Sequence, residues 1–217
     1  MLLVFDLDGT LIDSAADLAI SMNATRRHFG LAPLDPKLIC SYVGNGAAVL
    51  VRRAIVPDAG EAVLDDALAF FLKFYRAHAL EHTRLYPGVG ETVESLAQGG
   101  HTLGVLTNKP ARISSDIIAA LGLQLCFARV YGGDSFASKK PDPIGIVTLM
   151  NAFGAARECT MMIGDSSVDV QTARNAGVRS CGVSWGFQPD TFALDAPDIV
   201  ITSPSELLNI TATANGS

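Results

Sequence analysis

The chain is poor in charge, and what charge it has is of the wrong sign for a polyanion partner. Only 18% of its 217 residues are charged, and 16 Lys and Arg face 22 Asp and Glu, for a net charge of −6. Phosphate-backbone binding rests on clustered cations, so a nucleic-acid surface is excluded, although a local basic pocket is not. Cysteine is equally sparse. Cys40, Cys126, Cys159 and Cys181 lie far apart with no CxxC pair, which excludes a zinc knuckle and a dense disulfide framework and leaves buried or idle thiols. No run reaches the ~20 apolar residues of a membrane span, and Asp6 and Asp8 break the N-terminal apolar stretch before it could act as a secretory core. No membrane role is expected, and a cytoplasmic location follows by default. There is no internal repeat and no low-complexity run.

What is present is a large capacity for burial. Hydrophobic residues make up 49% of the chain, enough for a core of about 130–150 residues plus an accessory lobe. From about Tyr86 onward, short apolar or β-branched runs alternate with helical segments. The pattern predicts strands at Leu103–Thr107, Ala128–Tyr131, Thr160–Ile163, Arg179–Val183 and Asp198–Ile201. Helices are predicted at Ala111–Leu121, Pro143–Phe153 and Ser167–Asn175. Such βα repetition implies an α/β fold, a Rossmann-like three-layer core with a parallel sheet.

Ala15 to His82 differs, because about seventy residues pass without a clear strand. Leu18, Met22, Thr25 and Phe29 recur at helical spacing, as do Val49, Arg52 and Arg53, then Leu64, Leu68, Phe71, Leu72 and Tyr75. The expected division is a catalytic core of residues 1–13 and 84–217, with residues 14–83 inserted as a helical cap. Ser14 with Asp17 three residues on reads as a capping box, which makes Ser14 a helix cap rather than a catalytic residue. The tail from Thr211 to Ser217 is expected to fray.

In an open parallel sheet, ligands bind at the carboxyl ends of the strands. The first strand, Leu2 to Phe5, delivers Asp6 and Asp8, followed by Gly9 and Thr10; two carboxylates so close to an apolar strand need a compensating cation. The second delivers Thr107 and Asn108, a hydroxyl and an amide suited to phosphate oxygens. Lys140 stands before Pro141 in a restrained loop, and the strand ending at Ile163 delivers Asp165 and Asp169. Singly, each has an ordinary explanation as a turn, a helix cap or a solvated charge. Together they place metal and phosphate chemistry on one rim.

The segments Phe5 to Ser14, Leu106 to Lys109, Lys140 to Pro143 and Gly164 to Asp169 resemble, in order, the four motifs of the haloacid dehalogenase-like hydrolase superfamily. The resemblance implies a phosphatase. Asp6 would be the nucleophile that forms an aspartyl phosphate, and Asp8 would protonate the leaving oxygen and later deprotonate the attacking water. Mg²⁺ would be held by Asp6, the Asp8 carbonyl and Asp165, with Asp169 holding a metal water or orienting Lys140. Gly9, Thr107, Asn108 and Lys140 would hold phosphoryl oxygens. Lys139, one position off the motif, reads as surface. The dehalogenase branch lacks the second aspartate of motif one, so Asp8 argues for an oxygen leaving group.

Tyr42 to Ala54 is similar to the cap segment of phosphoglycolate phosphatases, and Tyr86 to Val89 and Gly132 to Ser135 resemble other segments of that subfamily. Gly44-Asn45-Gly46 would cradle a small carboxylate through Asn45 and free N–H groups, or else form a turn with Asn45 as a helix cap. Ser184-Trp185-Gly186-Phe187 departs from the Thr-Tyr-Gly-Tyr pattern of that subfamily. The implied partner is a small phosphorylated metabolite, 2-phosphoglycolate first, with the protein a monomer or homodimer. Sugar phosphates, pyrophosphate and nucleotides remain open as substrates. A phosphoryl-accepting signalling module is the reading from another class, although such modules lack a seventy-residue helical insertion.

Overall fold

In the computed structural model, residues 1–214 are described. The chain starts on strand β1 (Leu2–Phe5), reaches a two-residue strand β2 (Ile12–Asp13), and enters four helices, α1 (Ala15–His28), α2 (Pro36–Cys40), α3 (Ala47–Ala59) and α4 (Leu64–His78). It returns through β3 (Arg84–Leu85), α5 (Val89–Gln98), β4 (Thr102–Leu106), α6 (Ala111–Ala120), β5 (Phe127–Tyr131), α7 (Ile144–Phe153) and β6 (Thr160–Gly164). It finishes with α8 (Ser167–Ala176), β7 (Arg179–Val183), β8 (Ile199–Ile201) and α9 (Glu206–Ala214). Every strand predicted from the sequence is present to within about a residue.

Six strands form one parallel sheet in the order β5-β4-β1-β6-β7-β8. After β1 the chain builds one side and then crosses to build the other, so the order reverses beside β1, where an open α/β sheet leaves a crevice. Burial on both faces follows from the strand period of two. Leu2 and Val4 point into one apolar cluster with Ile146 and Leu149 of α7 and Ala173 and Ala176 of α8. Leu3 and Phe5 point into the other, with Val89, Val93 and Leu96 of α5, Ile117 of α6 and Leu207 of α9. The result is three layers.

The four helices between β2 and β3 form a lobe over the carboxyl ends of the strands. Its neck is the antiparallel pair Ile12↔Leu85 and Asp13↔Arg84. Asp17 ties the two crossings together. Its buried carboxylate accepts from the His82 N–H at 3.0 Å and from the Thr83 N–H and Oγ1 at 2.8 Å. This corrects the capping-box reading of Ser14 and Asp17: Ser14 precedes α1 but makes no side-chain cap, because both side chains are taken by tertiary partners. On α3 the buried residues are Leu50, Val51, Ala54 and Ile55, with Arg52 and Arg53 exposed, so the inward face is offset from the Val49, Arg52, Arg53 register. The expected frayed tail is helical through Ala214, with Thr211 buried and its Oγ1 donating to Leu207 O at 3.0 Å. The rest of that expectation, residues 215–217, lies outside the described residues. Among the described residues no helix is long and apolar enough to cross a membrane.

Candidate active site

Asp6 ends β1 at the point where the sheet order reverses, and Asp8 follows on a tight turn. That turn is closed by the N–H groups of Leu11 and Ile12, both donating to the Leu7 carbonyl at 3.0 Å, which leaves the Asp8 carbonyl outside it. Gly9 adopts φ +81°, and a Cβ there would collide with the Asp165 carboxylate. Only glycine lets the motif-one loop lie this close to β6. The Gly9 N–H, expected among the phosphate donors, is instead given to the Ile12 carbonyl at 2.9 Å. Gly9 thus contributes room for Asp165 rather than a donor.

Asp6, Asp165 and Asp169 are buried and each can offer an oxygen within 4.8 Å of the others'. Burial pushes the Asp6 carboxyl up to about 6 against the pull of Lys140. Burial, then Asp169 and Asp6, push Asp165 well above the usual carboxylate range. Desolvated anions raised in this way are short of positive charge. The Asp165 carboxylate is aimed by the backbone beyond β7: its Oδ2 accepts from Phe187 N at 2.6 Å and Gln188 N at 3.2 Å, leaving Oδ1 free of both. A Cβ on Gly186 would meet Asp165, so this close wrap depends on the glycine of the otherwise divergent Ser184 to Phe187 segment. All-oxygen donors held this way fit a hard divalent cation.

Lys140 supplies the charge already there. Its Nζ lies 2.6 Å from Asp169 Oδ1 and 2.9 Å from Asp6 Oδ1. The second contact is an ion pair at an angle that makes no proper hydrogen bond, so Asp6 Oδ1 keeps an unsatisfied lone pair. Burial alone would lower the Lys140 ammonium, but Asp169 and Asp6 outweigh it and raise it. Asp169 works on both sides, since its Oδ2 accepts from the Ser166 N–H and Oγ at the start of α8. Asn108 fixes the lysine from the other direction: its Oδ1 accepts from Lys140 N at 3.0 Å and its Nδ2 donates to Lys140 O at 3.1 Å. The same Nδ2 reaches Gly44 O of the lobe at 2.8 Å. With its side-chain amide spent on these bonds, Asn108 has its backbone to offer a phosphoryl group. Thr107 is buried, and its Oγ1 accepts from Lys109 N at 3.3 Å, which leaves the hydroxyl proton to donate.

Asp8 meets a second lysine that the sequence reading left without a role. Lys109 Nζ donates to Asp8 Oδ1 at 2.7 Å and to Tyr75 Oη at 2.5 Å, and Ser14 Oγ reaches the same Oδ1 at 2.5 Å. Asp8 Oδ2 is left for the reacting group. Tyr75 comes from α4 of the lobe, its ring stacked on Phe71 at 5.7 Å and its hydroxyl pushed up to about 12, mainly by burial. The signals were in the chain: a lysine beside the Thr107-Asn108 pair, and a tyrosine on the apolar stripe whose hydroxyl had to find a partner once buried. Lobe and core enclose a cavity of about 40 Å³ lined by Asp6, Asp8, Thr107, Asn108, Lys109 and Tyr75, with Leu18, Val43, Leu50 and Phe71 as its apolar wall. Gly44, Gly46 and Ala47 also line it. Asn45 sits half-buried between the two glycines, while Gly46 is the residue at the N-cap of α3. Lys139 is exposed, its ammonium near Gly46 at the edge of the lobe.

Two aspartates at one strand end, each against a buried lysine and beside a cavity under the lobe, are the arrangement expected of the superfamily that the motifs resemble. Residues 3–183 match the haloacid dehalogenase-like hydrolase family. The chain belongs to that family. It is 38% identical over 218 residues to a phosphoglycolate phosphatase of Vibrio vulnificus, covering 96% of this chain and 95% of the relative. It is 40% identical over 203 residues to one from Agrobacterium fabrum, covering 92% and 87%. A crystal structure of a predicted phosphoglycolate phosphatase from Haemophilus somnus superposes with a TM-score of 0.88 at 33% identity over 97% of both chains. The chain is therefore an enzyme, a phosphatase of this family.

Proposed function

We propose that this phosphatase hydrolyses 2-phosphoglycolate to glycolate and phosphate through an aspartyl phosphate on Asp6, with Mg²⁺ as cofactor. The observation that carries the reading is the unequal environment of the two motif-one aspartates: Asp6 lies among the metal-type carboxylates and Lys140, Asp8 against Lys109 at the cavity. Asp6 attacks phosphorus in line and the bond to the leaving oxygen breaks; Asp8 Oδ2 gives that oxygen its proton. Water then attacks phosphorus, Asp8 takes its proton, and phosphate leaves with Asp6 restored. Lys140, Thr107 and backbone N–H groups stabilise the equatorial oxygens. Asp6, the Asp8 carbonyl and Asp165 would hold Mg²⁺, which when bound offsets the negative charge of carboxylate and phosphate.

The substrate assignment draws on the relatives, which are phosphoglycolate phosphatases, and on cavity size. The cavity beside Asp8 is small and walled by Leu18, Val43, Leu50 and Phe71, which is in keeping with a small leaving group. Residues 14–83 act as a cap that excludes water, with Asn45 at its carboxylate-facing loop. The test is a phosphate-release screen with Mg²⁺ across 2-phosphoglycolate, sugar phosphates, nucleotides and pyrophosphate. The expected result is the highest kcat/KM with 2-phosphoglycolate; parity with generic esters would remove the substrate while leaving the reaction class.

A further inference from the structure

The chemistry above uses one buried lysine, Lys140, and leaves the other unassigned. Lys109 is 6% exposed, and an ammonium so deep in the protein has to be matched by acceptors. Asp8 Oδ1 and Tyr75 Oη take two of its three N–H donors. Lys109 also lines the cavity, with one N–H donor beyond these two bonds. Around it the side-chain wall is apolar, formed by Leu18, Val43, Leu50 and Phe71, with the backbone of Gly44, Gly46 and Ala47 at the start of α3 beside them. Lys140, by contrast, is held on the core side between Asp169 and Asp6. The two cations thus stand against different aspartates, Lys140 against Asp6 and Lys109 against Asp8.

We propose that Lys109, closed over by Tyr75, is the specificity residue of this site and holds the second anionic group of the substrate, a carboxylate on a leaving group of two or three carbons. The proposal rests on the reading of the site as a phosphatase of a small acid and names the residue that would make it so. A neutral leaving group entering this pocket would give up its water for a largely apolar side-chain wall, whereas a carboxylate gains a charge-assisted bond from a fixed, already desolvated ammonium. Tyr75 belongs to the lobe and is stacked on Phe71, so the anchor is complete only when α4 lies over the rim. Recognition of the acid and closure of the lobe are then one event. The Lys109 Nζ also sits 4.6 Å from the Tyr75 ring centroid, which holds the two side chains in register.

The experiment compares 2-phosphoglycolate with ethyl phosphate, which has the same two-carbon skeleton without the carboxylate. The wild-type enzyme should prefer 2-phosphoglycolate, and Lys109→Met should cut the ratio of the two kcat/KM values by about tenfold or more, chiefly through KM for the acid. Lys109→Gln, which still donates to Asp8, is judged by the same criterion should the methionine variant not fold. A smaller change in the ratio, including an equal loss for both esters, would mean that Lys109 serves only Asp8 and would overturn the proposal. A wild-type enzyme that hydrolyses both esters without preference would instead bring down the small-acid reading itself, and the proposal with it.

Discussion

Two buried lysines stand at the same rim, each against one of the motif-one aspartates, and they are built from different parts of the chain. Lys140 lies between Asp6 and Asp169, its backbone bracketed by the Asn108 amide, all within the sheet-bearing core. Lys109 lies between Asp8 and Tyr75, and Asp8 also takes Ser14, so this second cluster is finished by residues at the neck and on α4 of the lobe. The difference teaches that one rim can be assembled from two parts, and on the mechanism proposed above it would let the group at Asp6 stay constant while the substrate changes. The side chains paired with Asp6 all come from the core, with the lobe touching them only through the Asn108–Gly44 bond, whereas Asp8 shares its lysine directly with a lobe side chain.

The comparison breaks first at Lys140. Lys140→Met should lower kcat by about 10³-fold or more with any ester, because the transferring phosphoryl loses its fixed cation whatever the leaving group. Steady-state kinetics with 2-phosphoglycolate and ethyl phosphate would check this; a loss confined to the acidic substrate would erase the distinction between the two lysines.

The next effect is on stability. Asp6 is raised from 3.8 to about 6 by burial, so the native protein binds the extra proton over that range and metal-free stability should fall as pH rises from about 4 to 6. Asp6→Asn removes this leg, and the difference between variant and wild type should move in favour of the variant by about 1 to 3 kcal/mol across it. Urea unfolding at pH 4 and 7.5 without metal measures it, and Mg²⁺ should stabilise the wild type more at pH 7.5 than at pH 4. A flat difference would mean that burial does not raise the Asp6 carboxyl in the native protein.

The smallest effect is expected at the lobe contact of Gln188, whose Nε2 donates to Val43 O at 2.6 Å and to Ser41 O at 3.2 Å. Gln188→Ala keeps the backbone bond to Asp165 but loses this hold, so KM should rise about two- to fivefold with the Mg²⁺ requirement unchanged. Titration of both substrate and metal would separate lobe from core.

How much of this was legible in the chain follows the same boundary. The parallel sheet was readable because buried strands carry uninterrupted apolar runs and the turns carry Gly and Pro. Asp6, Asp8, Thr107, Lys140, Asp165 and Asp169 were readable because strand ends converge by topology. Helix α5 passed unread although Val89, Val93 and Leu96 mark one face, and the two-residue pair β2 and β3 is too short to signal itself. Ser14 and Asp17 misled because the capping box is a local rule, and here Asp8 and Thr83, distant in sequence or across the neck, compete for the same oxygens. Tyr75 fitted an apolar stripe well enough to hide its hydroxyl. Its meeting with Lys109 depends on how the lobe docks, which no spacing encodes.

The most direct test of the unequal roles of Asp6 and Asp8 is rapid acid quench with ³²P-labelled 4-nitrophenyl phosphate, whose leaving group needs no proton. Wild-type enzyme should carry transient label on the peptide containing Asp6, Asp6→Asn should carry none, and Asp8→Asn should hold its label longer because the attacking water has lost its base. Label that survives in Asp6→Asn, or that maps to a different peptide, would contradict the account.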